Sequence, residues 1–293
     1  MSTTARRYWL KALRGIGVKH FRAKSALGLP YICHVGDFAG EVPFLDRNYS
    51  QAEIAVMFAW CALADNPMIL DIGGNTGFVA TQLGQRLVGR NYRIFSFEPV
   101  GSTFQKLCCS IDQLGLGLRI HPVCCALSDQ PGVSSIAFND RESLFAQLRP
   151  DSSNARVGRK MSWCPVVTVD SIVQTLAVKP RLLKIDVEGY EAHVLRGARK
   201  LLEGPEAPAL CFELNPITLT EVGSSVFAVA DELNGYRFFY VDDFEGGRLP
   251  IGHPIETLTD IQWVCNLLAL PRDKASQGPA IFDRAKPLGG ILP

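Results

Sequence analysis

The stretch DIGGNTG, residues 71–77, decides the fold. It follows the apolar run Met68–Leu70 and precedes FVATQLGQRLV, residues 78–88, which reads as a helix. An apolar run that ends in an acid, turns on glycine and enters a helix marks a buried strand feeding a crossover helix. Gly73, Gly74 and Gly77 allow a tight turn with room for a ligand, and Asn75 tolerates left-handed backbone angles. The helix start offers unpaired N–H groups. The spacing is not G-x-G-x-x-G, and no Lys-Ser/Thr of a phosphate loop follows. With Asp71 at the strand end, the turn points to a ligand carrying a cationic amino group.

The same rhythm continues outward. YRIFSFE (92–98), LRIHPVCCAL (118–127), RLLKID (181–186) and APALCFEL (207–214) read as strands, with YRFFYV (236–241) and IQWVCNLLAL (261–270) as the last two. Helical patterns lie between them: STFQKLCCSIDQL (102–114), YEAHVLRGARKLLE (190–203) and residues 218–234. PGVSSIAFND (131–140) predicts a turn and short strand, and CPVVTVDSIVQTLA (164–177) a strand and a helix capped by Asp170. Strand and helix alternating in this way predict an α/β protein with a mostly parallel sheet. Residues 1–64 read as an N-terminal helical extension, 65–270 as the main domain and 271–293 as a mobile tail. Within the extension, Ser50 and Glu53 have capping-box spacing ahead of an apolar stripe of Ile54, Met57, Phe58 and Cys61.

The 293 residues carry a net charge of +1, so the overall balance names no polyanionic partner and no nucleic acid is expected. The charge is uneven. Residues 1–36 hold Arg6, Arg7, Lys11, Arg14, Lys19, Arg22 and Lys24, with no acid before Asp37. Such a start is a solvated face, an organellar targeting segment or a patch for an anionic surface. Nine cysteines form no C-x-x-C pair, which predicts reduced thiols in a cytoplasmic setting. No apolar run is long enough for a transmembrane segment. Oligomeric state is not readable.

Ligands of open α/β sheets bind beyond the carboxyl ends of the strands, so the acids there are the informative residues. Glu98, 27 residues after Asp71, is placed to take both hydroxyls of a ribose. A ribose beside a cationic amino-acid moiety describes S-adenosylmethionine. Asp186 and Glu188 follow the fourth strand and Glu213 ends the fifth. Their oxygens are of the kind magnesium uses, but no spacing demands a metal. Lys184 lies on the same strand face as Asp186 and is placed to pair with it. His193, inside the next helix, reads as a packing residue.

ILDIGGNTGF, FSFEPVGSTFQKL, HPVCCALSDQPG, VVTVDSIV, LLKIDVEGYEAHVLRGARKLL and ALCFELNP occur in this order over roughly residues 65–216. Together they resemble the FkbM-type S-adenosylmethionine-dependent methyltransferases. The resemblance implies a Rossmann-like class I methyltransferase fold: a seven-stranded, mostly parallel sheet with an antiparallel last strand and helices on both faces. It implies that Asp71, Gly73, Asn75 and Gly77 surround the methionine part of the cofactor, that Glu98 holds the ribose, and that Cys125 and Ala126 pass near the adenine. It further implies that Asp186 and Glu188 meet the acceptor, a hydroxyl of a sugar or glycan, a polyketide or another small molecule. The chain departs from the family at Gly74, where alanine is usual, and at Ser110 and Asp112, in a segment where asparagine is common. The arginine-bearing residues 139–162 and the N-terminal segment are expected to shape the acceptor site. Two other readings stand beside this one: a non-catalytic scaffold of the same fold, and a nicotinamide-dependent dehydrogenase.

Overall fold

The computed structural model describes residues 1–139, 147–149, 160–243 and 247–289. In chain order the elements are α1 (Thr3–Gly15), β1 (His20–Lys24), β2 (Pro30–His34), α2 (Phe38–Leu45), α3 (Gln51–Cys61), β3 (Met68–Ile72), α4 (Phe78–Arg86), β4 (Arg93–Phe97) and α5 (Gly101–Gln113). Then come β5 (Ile120–Val123), β6 (Ala126–Leu127), β7 (Gly132–Phe138), β8 (Gln147–Arg149), β9 (Lys160–Val167), α6 (Val169–Leu176), β10 (Leu182–Ile185), α7 (Glu191–Arg196) and α8 (Arg199–Leu202). The chain continues with β11 (Ala209–Leu214), α9 (Pro216–Glu221), α10 (Val226–Glu232), β12 (Tyr236–Asp243), β13 (Pro254–Ile255), β14 (Cys265–Pro271) and α11 (Gly278–Gly289).

The main sheet runs β13-β12-β14-β11-β10-β3-β4-β5. Pairing is parallel from β5 to β11, and β14 is antiparallel to both β11 and β12. This is the expected doubly wound sheet, with one strand more than expected: β13 is a two-residue edge strand. Strand alternation sorts the core into two layers. Ile69, Leu182 and Ala209 face a cluster with α3, α4 and α11, while Leu70, Leu183 and Leu210 face a cluster with α7 and α10. The run 118–127 is not one strand. It breaks at Cys124–Cys125, and β6 joins a separate sheet of order β6-β9-β7-β8. That second sheet was not anticipated: β6 and β8 have only two and three residues, and β9 pairs with β6 and β7 across more than twenty positions of sequence.

Other expectations change as well. Every residue of α3 but Phe58 is buried, so the helix is a central core element of the main domain rather than part of an outlying extension with one apolar stripe. Ser50 takes φ 54 and makes no cap bond, so the capping box does not form. Thr168, not Asp170, caps α6. Asp170 instead accepts from the N–H groups of Lys200 and Leu201 at the start of α8. The helix predicted over 190–203 is broken into α7 and α8 at Gly197, where a Cβ would meet the Ser128 carbonyl oxygen at 2.1 Å. The helix predicted over 218–234 is likewise two, with Gly223 between them. The tail expected to be mobile folds: α11 buries Ile281, Phe282 and Ala285 in the cluster that holds α3. An apolar face four residues in repeat outweighs the Pro and Gly content that suggested mobility.

Candidate active site

The turn at 71–77 is shaped by the protein around it. Gly73 has φ 87, and a Cβ there would lie 1.8 Å from the carbonyl oxygen of Asp186, so only glycine lets β3 and β10 end this close together. The N–H groups of Gly73 and Gly74 both donate to the Phe97 carbonyl. Asn75 N–H donates to Glu98 Oε2 at 3.0 Å, and Gly77 N–H to the Gly74 carbonyl. These four turn amides are thus committed internally.

Strand register lines up a polar row across the buried sheet. Ser96 pairs with Asp71, Asp71 with Lys184, and Lys184 with Cys211. Ser96 Oγ donates to Asp71 Oδ2 at 2.6 Å, and Lys184 Nζ stands 3.8 Å from Asp71 Oδ1. Lys184 also donates to Asp186 Oδ2 at 3.2 Å and to the Gly73 carbonyl at 3.1 Å. The ion pair expected between Lys184 and Asp186 is present. Asp186, Asp71 and Glu53 hold this buried ammonium in its charged form. Gly74 has its explanation here: a Cβ would lie 2.1 Å from Ser96 Oγ. Alanine at 74 is incompatible with the serine that satisfies Asp71. Ser110 is likewise tied in. Its Oγ donates to the Thr76 carbonyl at 2.7 Å and lies 3.0 Å from His34 Nε2, joining the turn to β2.

One cavity opens beyond the carboxyl ends of β3, β4 and β10. Gly73, Asn75, Glu98, Cys125, Ala126, Asp186 and Glu188 all line it, so seven of the nine residues singled out from sequence converge. Asp71 and Gly77 do not line it. Asp71 points along the polar row, and of its two partners there only Lys184 lines the cavity. Gly77 faces Leu107 of α5. His193 also stands outside, its ring 5.1 Å from that of Tyr190.

At one end of the cavity, Glu98 is buried and each carboxylate oxygen accepts one backbone N–H, from Asn75 and from Val100. Burial raises its pKa to about 7 against the lowering effect of those bonds. At the other end, Glu188 takes φ 54 and Gly189 φ 102. A Cβ on Gly189 would meet the Thr218 carbonyl at 2.4 Å. Glu191 fastens this turn: its Oε1 accepts from the N–H groups of Val187 and Gly189, both at 3.2 Å. Burial pushes the Glu191 carboxyl up to about 7. Burial and then the Asp186 charge push Glu188 and Glu213 well above the carboxylate range. Asp186 itself is one-third exposed to the cavity. Glu213 sits beside it, bonded to Asn215, and does not line the cavity.

Several lining residues were not singled out in the sequence, although the N-terminal segment was expected to help shape the site. Ala39 and Tyr49 come from the segment preceding the glycine turn, and Ile136 comes from the second sheet. Burial, with Asp186 nearby, raises the Tyr49 phenol so that it stays protonated. Of the arginine-bearing residues 139–162, Arg141, Arg156 and Arg159 lie outside the described residues. Among the described residues, no group of His, Cys, Asp and Glu is placed to hold a metal ion. No helix among them is long and apolar enough to cross a membrane.

A parallel sheet with one antiparallel strand near its edge, and an acid-lined cavity above its carboxyl ends, defines a Rossmann-like protein with a cavity where open α/β sheets bind their ligands. Residues 71–240 match the family model "Methyltransferase FkbM domain", and the chain belongs to that family. It is similar to the FkbM methyltransferase of Methylobacillus flagellatus KT, with 16% identity and TM-score 0.44 over 70% of this chain and 44% of that one. The chain therefore spans less than half the length of that relative. It is also similar to cofactor-bound Rv0187 from MTB (14% identity, TM-score 0.43, 76% and 80% covered). A third likeness is to a SAM-dependent methyltransferase of Agrobacterium tumefaciens (9%, 0.42, 86% and 69%). No curated protein matches the chain in sequence.

Proposed function

We propose that this chain is an S-adenosylmethionine-dependent O-methyltransferase acting on a hydroxyl of a sugar or glycan, a polyketide or another small molecule. The observation that carries the reading is the convergence of Glu98, the Gly73–Asn75 turn and Asp186 with Glu188 on one cavity. The residues present fit the cofactor. The cavity wall holds three acids and one ammonium, Lys184, which Asp186 and Asp71 already neutralise. Such a wall favours a ligand carrying positive charge. The turn lacks the G-x-G-x-x-G spacing of a pyrophosphate site, which counts against the dehydrogenase reading.

In this reading Glu98 accepts the ribose hydroxyls through the lone pairs its two N–H bonds leave open. Phe97, Ala126, Leu127 and Ile136 form an apolar wall for the adenine. Gly73 to Thr76 border the methionine part. The cofactor supplies a methyl carbon already activated by its positive sulfur. The chain's own task is alignment, which contributes several kcal/mol. Asp186 accepts a hydrogen bond from the incoming hydroxyl and takes its proton, with Glu188 as the second group at the same strand end. The protonated phenol of Tyr49 is a donor facing the same space.

The test is thermal melting with S-adenosylmethionine, S-adenosylhomocysteine and NAD. A ligand at 100 times its Kd adds about 2.7 kcal/mol of stability. Stabilisation by the first two is expected, and stabilisation by NAD alone defeats the reading. Release of S-adenosylhomocysteine is then followed over a panel of glycan and polyketide alcohols. Tight cofactor binding with no turnover on any of them favours the scaffold.

A further inference from the structure

The basic start of the chain is a folded surface, not a frayed end. In α1, Leu10 is buried in the core cluster shared with α3. Trp9 packs edge-on against Phe21 at 4.7 Å and beside Phe44 at 5.4 Å. Three cations have partners within the protein: Arg14 pairs with Glu41, Arg6 donates to the Phe44 carbonyl, and Arg47 donates to the Ser25 carbonyl. Five others, Arg7, Lys11, Lys19, Arg22 and Lys24, are exposed and have no ion-pair partner among the described residues. Tyr8 on α1 is 72% exposed, and Ile16, the residue that ends the helix, is 77% exposed. The seven cations of residues 1–36 leave the rest of the chain at −6, so the molecule is polarised.

Unpaired cations around displayed aromatic and aliphatic side chains, on a helix anchored by Trp9 and Leu10, match the chemistry of an interfacial lipid surface. Anionic headgroups attract the cations, and Tyr8 and Ile16 enter the boundary between headgroup and acyl chain. A soluble polyanion would use the cations but leave the exposed Ile16 without a role. We propose that α1 and the β1–β2 hairpin dock this protein on an anionic phospholipid bilayer. The helix α2, whose Ala39 lines the active cavity, has Pro43 and Phe44 in the groove beside α1. The α2 helix thus connects the docking element to the cavity. The proposal rests on the surface alone and stands whether or not the methyltransfer reading does.

The experiment is co-sedimentation of the full chain with phosphatidylcholine vesicles and with vesicles in which phosphatidylglycerol replaces about a third of that lipid. Binding to the anionic vesicles alone, weakening as salt rises, is expected. The double variant R7Q/K11Q should bind about 25-fold more weakly, fivefold for each cation. The double variant Y8S/I16S should lose affinity without changing the salt dependence. Each variant must keep the wild-type melting temperature, which separates docking from folding. The proposal is overturned if the wild-type chain shows no preference for anionic vesicles at low salt, or if R7Q/K11Q binds like the wild type. It is also overturned if Y8S/I16S leaves vesicle binding unchanged while a single-stranded RNA homopolymer binds as tightly as the vesicles. That result would make the surface a plain polyanion site.

Discussion

The two ends of the cavity are built on opposite principles. At the end of β4 stands one acid, Glu98, each oxygen held by a backbone N–H. At the end of β10 stand Asp186, Glu188 and Glu191 in sequence, with Glu213 beside them and one ammonium, Lys184, among them. The first end has fixed acceptors, one of them held by Asn75, itself at φ 47. The second has two successive residues at positive φ and carboxyls that crowd one another. Backbone strain and like charge persist where surrounding structure enforces them, and they concentrate at reacting centres. In the function proposed above, the β4 end would bind and the β10 end would carry the chemistry.

The strongest way to break that contrast is Asp186→Asn. Loss of a general base or acceptor-orienting carboxylate is expected to cut turnover by about 10²–10⁴-fold with little change in cofactor affinity. Turnover and cofactor Kd are measured on the same preparation. A variant that loses cofactor affinity but keeps its turnover would make the β10 end a binding end and erase the distinction.

Lys184→Met asks what holds the β10 end together. It leaves the buried Asp71 without a cation, and breaking a buried pair costs about 3–5 kcal/mol. The denaturation midpoint should fall accordingly, and Asp71→Asn in the same chain should recover part of the loss, since the two residues share one network. A loss within the range of a surface substitution would mean that the acids are screened by some other group.

How far this was readable from sequence follows from the same residues. The strand-end acids were legible because a strand that must be buried ends where its polar residue appears, and the sheet then fixes where ligands bind. The pairing of Lys184 with Asp186 was legible because both lie on one face of one strand. The direction of Asp71 was not. It depends on the register that sets Ser96 on one side and Lys184 on the other, and register is a property of three distant strands. Ala39, Tyr49 and Ile136 were hidden for a related reason. They reach the cavity from the N-terminal segment and from a second sheet, and no local pattern states such contacts. Gly74 was visible as a departure, yet its cause, the Ser96 hydroxyl at 2.1 Å from its would-be Cβ, needed the fold.

Glu98→Gln sharpens the binding side. A carboxylate hydrogen bond to a charged or strongly polar partner contributes about 1.5–3 kcal/mol, so cofactor affinity is expected to fall by roughly 10–100-fold. The amide NH2 must face the N–H of Asn75 or Val100, so stability of the free protein falls too. A cycle with an S-adenosylhomocysteine analogue lacking the ribose hydroxyls separates the two effects. The analogue should bind the wild type and the variant alike. If it loses as much affinity as the intact nucleoside, Glu98 acts through the loop and not on the ribose.

The smallest effect concerns Glu191, which fastens the turn of the β10 end and touches no ligand. Its folded-state pKa of about 7 lies above the ordinary 4.5. Between those values the folded chain keeps a proton that the unfolded chain gives up. Its contribution to stability is therefore complete below about 4.5 and is lost as pH rises through about 7. Glu53, raised to about 8 by burial, acts in the same direction, while His34, lowered to about 4, acts in the opposite one below 6.5. His34 and Glu53 are common to the wild type and a Glu191 variant, so the difference between their melting temperatures from about 4.5 to 7 reads Glu191. Glu191→Gln keeps a carbonyl for the N–H groups of Val187 and Gly189 and removes the titration. The variant should melt within a few degrees of the wild type and show a shallower decline with pH over that window. An unchanged slope would mean that Glu191 is already ionised in the folded chain. The crowding at the β10 end would then be relieved by more positive charge than Lys184 supplies.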